Sequence, residues 1–193
     1  MTTLADKAID FGSLKDIPYI GRILFDQTPI VYISIITVFL LYFLLFKTKF
    51  GLHVRASGEH PLALETLGVS VIKVRYWAVI ISGLTAGLAG AYLSIENTNI
   101  FTEGMSNGRG FIALAANISG GWNPIGVWIA SLFFGFADAI QYRFQLIKTL
   151  SVPSEFFIIF PYVATIIAVA GLVKKSRPPK ASGLDYIIEK EED

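Results

Sequence analysis

From Ile30 to Phe46 the chain carries no charged residue, and Ser34, Thr37 and the tyrosines Tyr32 and Tyr42 are the only polar relief. Wound as a helix, this run measures about 25 Å. That is enough to cross a thin or slightly adapted bilayer. Lys47 and Lys49 stop it. The composition agrees with a life in lipid. Only 16% of residues are charged, against about a quarter in a soluble domain, too few to cover a water-facing surface. A net charge of +1 argues against nucleic acid as a partner. The absence of cysteine excludes disulfides, thiolate catalysis and cysteine-ligated metals. Met1–Gly12 holds Asp6, Lys7 and Asp10 and lacks the apolar core of a secretory signal.

Further apolar stretches follow. Tyr76–Ser94 has Tyr76 and Trp77 at one end and Tyr92 near the other, the pattern of an interfacial aromatic belt. Its middle is rich in small residues. Gly83 and Gly87 form a G-x-x-x-G pair, followed by Gly90, which permits close helix–helix approach; glycine is also simply common in membrane helices. Ile95–Gly108 reads as a polar loop. Phe111–Ser119 is short and approaches spanning length only if Met105–Arg109 joins it, so an interrupted span 105–119 is expected. Its irregular backbone must be covered by neighbours at membrane depth. Trp122-Asn123-Pro124 reads as a tight turn into a span over 124–140. Gln141–Ser151 reads as a loop. Pro153 opens the last span, 153–173, which Pro161 should kink. The fold class expected is therefore an all-α integral membrane protein with about five transmembrane segments, one of them interrupted. Residues 1–29 form an N-terminal segment at a membrane face and residues 174–193 a polar tail, most simply a solvated end.

Between the first two spans lies a polar island, Arg55–Gly68, within a connecting segment 47–75. Pro61 suits the first turn of a helix and Gly68 suits the position just past a helix end. Between them is room for about two turns. Leu62, Ala63 and Thr66 can share one side of this helix, and Leu64 and Leu67 another. A helix this short does not persist alone in water. Two readings remain: a docking element for a partner, or an amphipathic connector lying on the lipid surface.

Lys and Arg near membrane ends favour the cytoplasm. Lys47, Lys49, Arg55, Lys73 and Arg75 lie in the first connection, and Lys174, Lys175, Arg177 and Lys180 follow the last span. Both sets fall on one side only if the short stretch 105–119 crosses. The expected topology is thus five crossings, with residues 1–29 extracytoplasmic and the connection 47–75 and the tail cytoplasmic. Arg143 and Lys148 count against it from the outer side.

No catalytic constellation is present. His53 and His60 are too far apart in sequence for a metal pair, and no phosphate-binding, zincin or nucleophile-elbow motif occurs. No cofactor is expected, and ATP hydrolysis would have to come from another chain. Asn117 and Asp138 are the intramembrane polar residues that stand out, because such groups are costly and often functional. Interhelical hydrogen bonding is their commoner use. Trp122 and Trp128 read as interface and packing residues.

The run Phe50-Gly51-Leu52-His53-Val54-Arg55-Ala56-Ser57-Gly58-Glu59-His60-Pro61-Leu62-Ala63, then Gly68-Val69, resembles the cytoplasmic loop of ABC-importer permeases of the branched-chain amino acid, ribose and nucleoside family. Leu64 and Val69 stand where that pattern has alanine and isoleucine. Ser82–Ala91 is similar to the family's following helix, and Gly108–Ala116 resembles the nucleoside and simple-sugar branch. The match runs from about Ile17 to Gly171. The resemblance implies an all-helical permease whose short cytoplasmic coupling helix seats in a cleft of a separate ATPase subunit. Arg55 and Gly58 would lead into that helix, and Glu59, Pro61, Ala63 and Gly68 would belong to it. It further implies a plasma-membrane multi-pass protein that works in pairs with a second permease subunit and receives its solute from an extracytoplasmic binding protein. Family permeases are longer and carry further spans ahead of the matched segment, so the chain reads as a C-terminal part. The function expected is inward transport of a nucleoside, sugar or similar small solute. The alternatives are a branched-chain amino acid permease or a membrane scaffold that conducts nothing.

Overall fold

The computed structural model describes residues 27–97, 101–106, 108–146, 163, 166 and 177–186. Every regular element among them is helical. In chain order these are α1 (Pro29–Lys47), α2 (Lys49–Glu59), α3 (Pro61–Thr66), α4 (Val71–Tyr92), α5 (Arg109–Ser119) and α6 (Pro124–Leu146), with one π-helical turn, Leu93–Asn97, continuing α4. Three helices among the described residues are long and apolar enough to cross a membrane: Pro29–Lys47, Val71–Ile95 and Pro124–Arg143. Their apolar side chains are largely uncovered. On α1, Ile33, Ile36, Leu40 and Phe43 are all exposed and recur at helical spacing. A water-facing surface does not tolerate such a stripe, whereas lipid or a neighbouring helix does.

Contacts divide the chain into two units: Met1–Val54 with Ser70–Asn107, and Arg55–Val69 with Gly108–Asp193. In the first, α1 ends in a sharp corner at Thr48, whose backbone is extended (φ −116°, ψ 157°). The Thr48 hydroxyl donates to the Leu44 carbonyl at 2.5 Å and accepts the Gly51 N–H at 3.1 Å. One side chain thus closes the end of α1 and caps the start of α2, satisfying groups that helix ends leave open. Gly51 is buried because its bare Cα lies against the main chain of Leu44 and Leu45. A Cβ there would collide with the Leu44 carbonyl oxygen and the Leu45 Cα. In the same unit, α1 and α4 line a cleft of about 430 Å³ formed by residues such as Ile30, Ile33, Leu88 and Tyr92. Ser34, Thr37 and Thr85 also face it, but each hydroxyl donates to a carbonyl of its own helix at 2.7–2.8 Å, so the cleft is apolar in effect.

In the second unit, α5 packs on α6. The turn between them is built from Gly120, Gly121, Trp122 and Asn123. Gly121 and Trp122 both have positive φ, 66° and 61°, a conformation glycine takes freely and tryptophan at a cost. The Gly120, Gly121 and Trp122 N–H groups return to the Ala116, Ile118 and Asn117 carbonyls. The Asn123 side-chain oxygen accepts the Ile125 N–H at 3.0 Å, capping α6 ahead of Pro124. Ala116, Phe134 and Ala137 are buried. Gly126, Ala130, Phe134 and Ala137 recur at spacings of four, four and three, one face of a helix.

Several boundaries differ from the sequence reading. The segment ahead of Pro61 is a helix, α2, not a polar loop. Its buried positions are Gly51 and Ser57, small residues that leave no hydrophobic period to read. The second span starts at Val71, five residues before Tyr76. Lys73 and Arg75 sit in its first turns, where long basic side chains reach the interface. The expected span 105–119 is helical only from Arg109. Eleven residues rise about 16 Å, roughly half the hydrocarbon thickness. The helix that starts at Pro124 runs on to Leu146, past the expected end at 140, with Arg143 in its last turn, where a cation suits the helix dipole. The expected span 153–173 lies outside the described residues, apart from Val163 and Ile166, which are helical. The N-terminal segment is described only from Gln27 onward.

Candidate functional site

The polar island folds into an elbow. The last turn of α2 leads through His60 (φ −144°, ψ 80°) into α3, begun by Pro61. The His60 N–H still reaches the Ala56 carbonyl at 2.9 Å, and the Leu64 N–H reaches the His60 carbonyl at 3.2 Å. At the far end Gly68 takes φ +77°. Its N–H bonds the Glu65 carbonyl at 2.8 Å, and the Val69 N–H bonds the Leu64 carbonyl at 3.4 Å. This double closure is the Schellman pattern. Ser70 then caps α4 through its hydroxyl and the Lys73 N–H.

Burial gives α3 two faces. Leu64 is 3% exposed. Leu62, Ala63 and Thr66 are exposed together, as their spacing on one side requires. Leu67 departs from the expected pairing with Leu64. It lies past the last turn, at the cap, and is 80% exposed. Arg55, Glu59 and His60 are exposed as well, while Ser57 is buried and Gly58 and Pro61 are half-buried. The elbow therefore presents a small apolar face, Leu62, Ala63 and Leu67, bordered by Glu59 and His60.

Sequence reasoning missed what holds the elbow. The tail residues Arg177–Tyr186 lie in the same unit as Arg55–Val69. The Ala181 N–H donates to the Gly58 carbonyl at 2.9 Å. The Tyr186 hydroxyl donates to the Glu65 carboxylate. A Cβ built on Gly58 would stand 3.2 Å from the Pro179 Cβ, so the tail lies close against Gly58. The tail is folded on itself by bonds from the Ser182 N–H to the Pro179 carbonyl and from the Leu184 N–H to the Ala181 carbonyl. No local pattern in the sequence announces this contact, which joins residues more than a hundred positions apart.

The other expected site residues are separate. Gly83, Gly87 and Gly90 lie on α4, and among the described residues no atom comes within 4 Å of a Cβ built on any of them. The close glycine approach lies elsewhere, between Gly120 and Gly126, where a Cβ on either would strike the main chain around the other. Asn117 sits two residues from the end of α5, half-buried, its carbonyl occupied by the Trp122 N–H. Asp138 is half-buried on α6, about 21 Å along the axis from Pro124. That is beyond the reach of the shorter α5, so the α5–α6 hairpin does not bring the two together. Ser119, which the sequence reading did not single out, has a buried hydroxyl without a hydrogen-bond partner among the described residues. It lines a small cavity with Gly120, Gly126, Ala130 and Phe134. Among the described residues no cluster of His, Cys, Asp or Glu could hold a metal ion.

Residues 9–169 match the family described as branched-chain amino acid transport system / permease component. The chain is 42% identical over 178 residues to the guanosine ABC transporter permease protein NupQ of Bacillus subtilis, covering 90% of this chain and 55% of that protein. It is 41% identical over 179 residues to the nucleoside ABC transporter permease protein NupC of Lactococcus lactis, covering 92% and 56%. A putative glucose ABC transporter permease protein of Haloferax volcanii is 39% identical over 132 residues, 68% of this chain and 40% of that one. The chain thus spans about half the length of the relatives it matches. No solved structure matches it significantly. With the family pattern running through both units and all six helices, the chain belongs to the branched-chain amino acid transport system permease family.

Proposed function

We propose that the chain works as a membrane-spanning permease subunit of an ABC importer, carrying a nucleoside inward on ATP hydrolysed by a separate subunit. The observation that carries this reading is the similarity to two nucleoside permeases over at least 90% of the chain. A sugar substrate is the second reading, on the strength of the Haloferax relative. The descriptions of all three relatives favour transport over a non-conducting scaffold.

In this reading the exposed face of α3 is where the ATPase docks. Pro61 and Gly68 set the limits of the docking helix, Arg55, Gly58 and Glu59 deliver the chain to it, and Ala63 lies at the contact. The family pattern and the two-faced burial of α3 support the assignment. The corner at Thr48 and Gly51 ties the start of α2 to the end of α1. Alternating access would require the docked segment to act on the spanning helices. The chain itself would perform no chemistry. A second permease subunit would complete the path, and an extracytoplasmic binding protein would deliver the solute. Asn117 and Asp138 are the proposed polar residues of that path, and Gly83, Gly87 and Gly90 the proposed seat of a neighbouring helix.

The topology proposed is a multi-pass plasma-membrane protein with five crossings, residues 1–29 outside and the segments 47–75 and 174–193 inside. The contact of the tail with the elbow supports it. Segments that touch through Ala181–Gly58 and Tyr186–Glu65 share one side of the membrane, as they do only if an even number of crossings separates them. The test is uptake of radiolabelled guanosine by a nucleoside-transport-deficient host expressing the chain with its neighbouring ATPase, permease and binding protein. ATP-dependent accumulation that is lost on omitting this chain supports the reading. Accumulation of glucose but not guanosine would move it to the sugar branch, and accumulation of neither would remove it.

A further inference from the structure

The carbonyls in the last turn of a helix lack an intrahelical partner. At the end of α2 the Ala56 carbonyl is taken by the His60 N–H, but the chain turns at His60–Pro61 and the Gly58 carbonyl is left to the tail, through the Ala181 N–H at 2.9 Å. Five residues further on, the Tyr186 hydroxyl holds the Glu65 carboxylate. One contact grips α2 and the other grips α3. Between them the tail is folded by its own turn, the Ser182 N–H on the Pro179 carbonyl and the Leu184 N–H on the Ala181 carbonyl. Two short helices joined by a single residue have no fixed angle by themselves, and α3, at six residues, is too short to hold its own shape. A strap fixed to both sides of the bend supplies the missing restraint. The strap leaves Leu62, Ala63 and Leu67 exposed.

We propose that Arg177–Tyr186 is a brace across the α2–α3 elbow, with Glu65 and Tyr186 as positioning residues that set the angle at which α3 meets its partner. The function of the brace rests on the docking role proposed for α3; its existence does not. A loose elbow would still bind the ATPase but would absorb its motion, so hydrolysis would proceed with less solute moved.

The chain has no cysteine, so introduced thiols report cleanly. Gly58→Cys with Pro179→Cys places two Cβ atoms near disulfide distance, given the 3.2 Å measured from Gly58. In membranes, mild oxidation should remove both thiols from maleimide labelling, with or without the ATPase present. Thiols that stay free after oxidation would overturn the brace. Tyr186→Phe should retain the ATPase but lower guanosine moved per ATP hydrolysed by about three- to tenfold, the net scale of one ordinary hydrogen bond. Glu65→Leu should do the same, while Glu65→Gln, which keeps an acceptor oxygen, should largely restore the ratio. An unchanged ratio in both Tyr186→Phe and Glu65→Leu would overturn the positioning role. The docking reading fails separately: if Ala63→Arg leaves ATPase association intact while the thiols still cross-link, α3 is braced but is not the coupling helix.

Discussion

Gly120 and Gly126 meet main chain to main chain across the α5–α6 turn, and a Cβ on either would collide with the backbone around the other. Backbone cannot move aside as a flexible side chain can, so Gly120→Ala and Gly126→Ala should each destabilise the fold by about 1–3 kcal/mol or more. Thermal unfolding of the detergent-solubilised chain measures this. Gly87→Ala, where no described atom stands within 4 Å, should leave the same midpoint almost unmoved. If Gly87 seats a helix of a second subunit, that variant should instead lower uptake, and it is the separation of the two readouts that identifies an intermolecular role.

The corner at Thr48 makes a second prediction. Thr48→Val removes both the donor to Leu44 and the acceptor for the Gly51 N–H, and should cost about 1–3 kcal/mol for the groups left unpaired. Thr48→Ser keeps the hydroxyl and should behave almost as the natural residue.

At Gly68 the backbone is left-handed. Gly68→Ala should therefore cost about 1 kcal/mol and Gly68→Asn less, since Asn tolerates this conformation. Hydrogen exchange of the Pro61–Thr66 amides reads the effect directly, with faster exchange in the alanine variant. Equal exchange in both variants would mean that the closure through Glu65 and Leu64 does not hold the helix.

What the sequence made legible follows from which signals are local. The charge-free run Ile30–Phe46 locates α1 to within a residue at each end. Pro61 and Gly68 bound α3 because their roles depend only on their own φ. The α2 helix was hidden for a physical reason: Gly51, Ser57 and Gly58 make its contacts, and small residues carry no hydrophobic period. The start of α4 was hidden because Lys73 and Arg75 read as part of the first connection, although basic side chains extend from a helix end to the interface. The tail contact was beyond reach altogether. Ala181–Gly58 is a backbone bond that any residue types could make, and the Tyr186–Glu65 pair is one of many Tyr–Glu combinations the composition allows. In the candidate site, the exposed grouping of Leu62, Ala63 and Thr66 was predictable from spacing, whereas the separation of Asn117 from Asp138 depends on the unequal lengths of α5 and α6.

The α2–α3 elbow is proposed as a cytoplasmic docking surface, and a single cysteine tests that most directly. Ala63→Cys in this cysteine-free chain, expressed in intact cells, should resist an impermeant maleimide added outside, react when the inner face is opened, and cross-link to the co-expressed ATPase. Labelling from outside in sealed cells, or full labelling of the inner face that the ATPase neither shields nor captures, would contradict it.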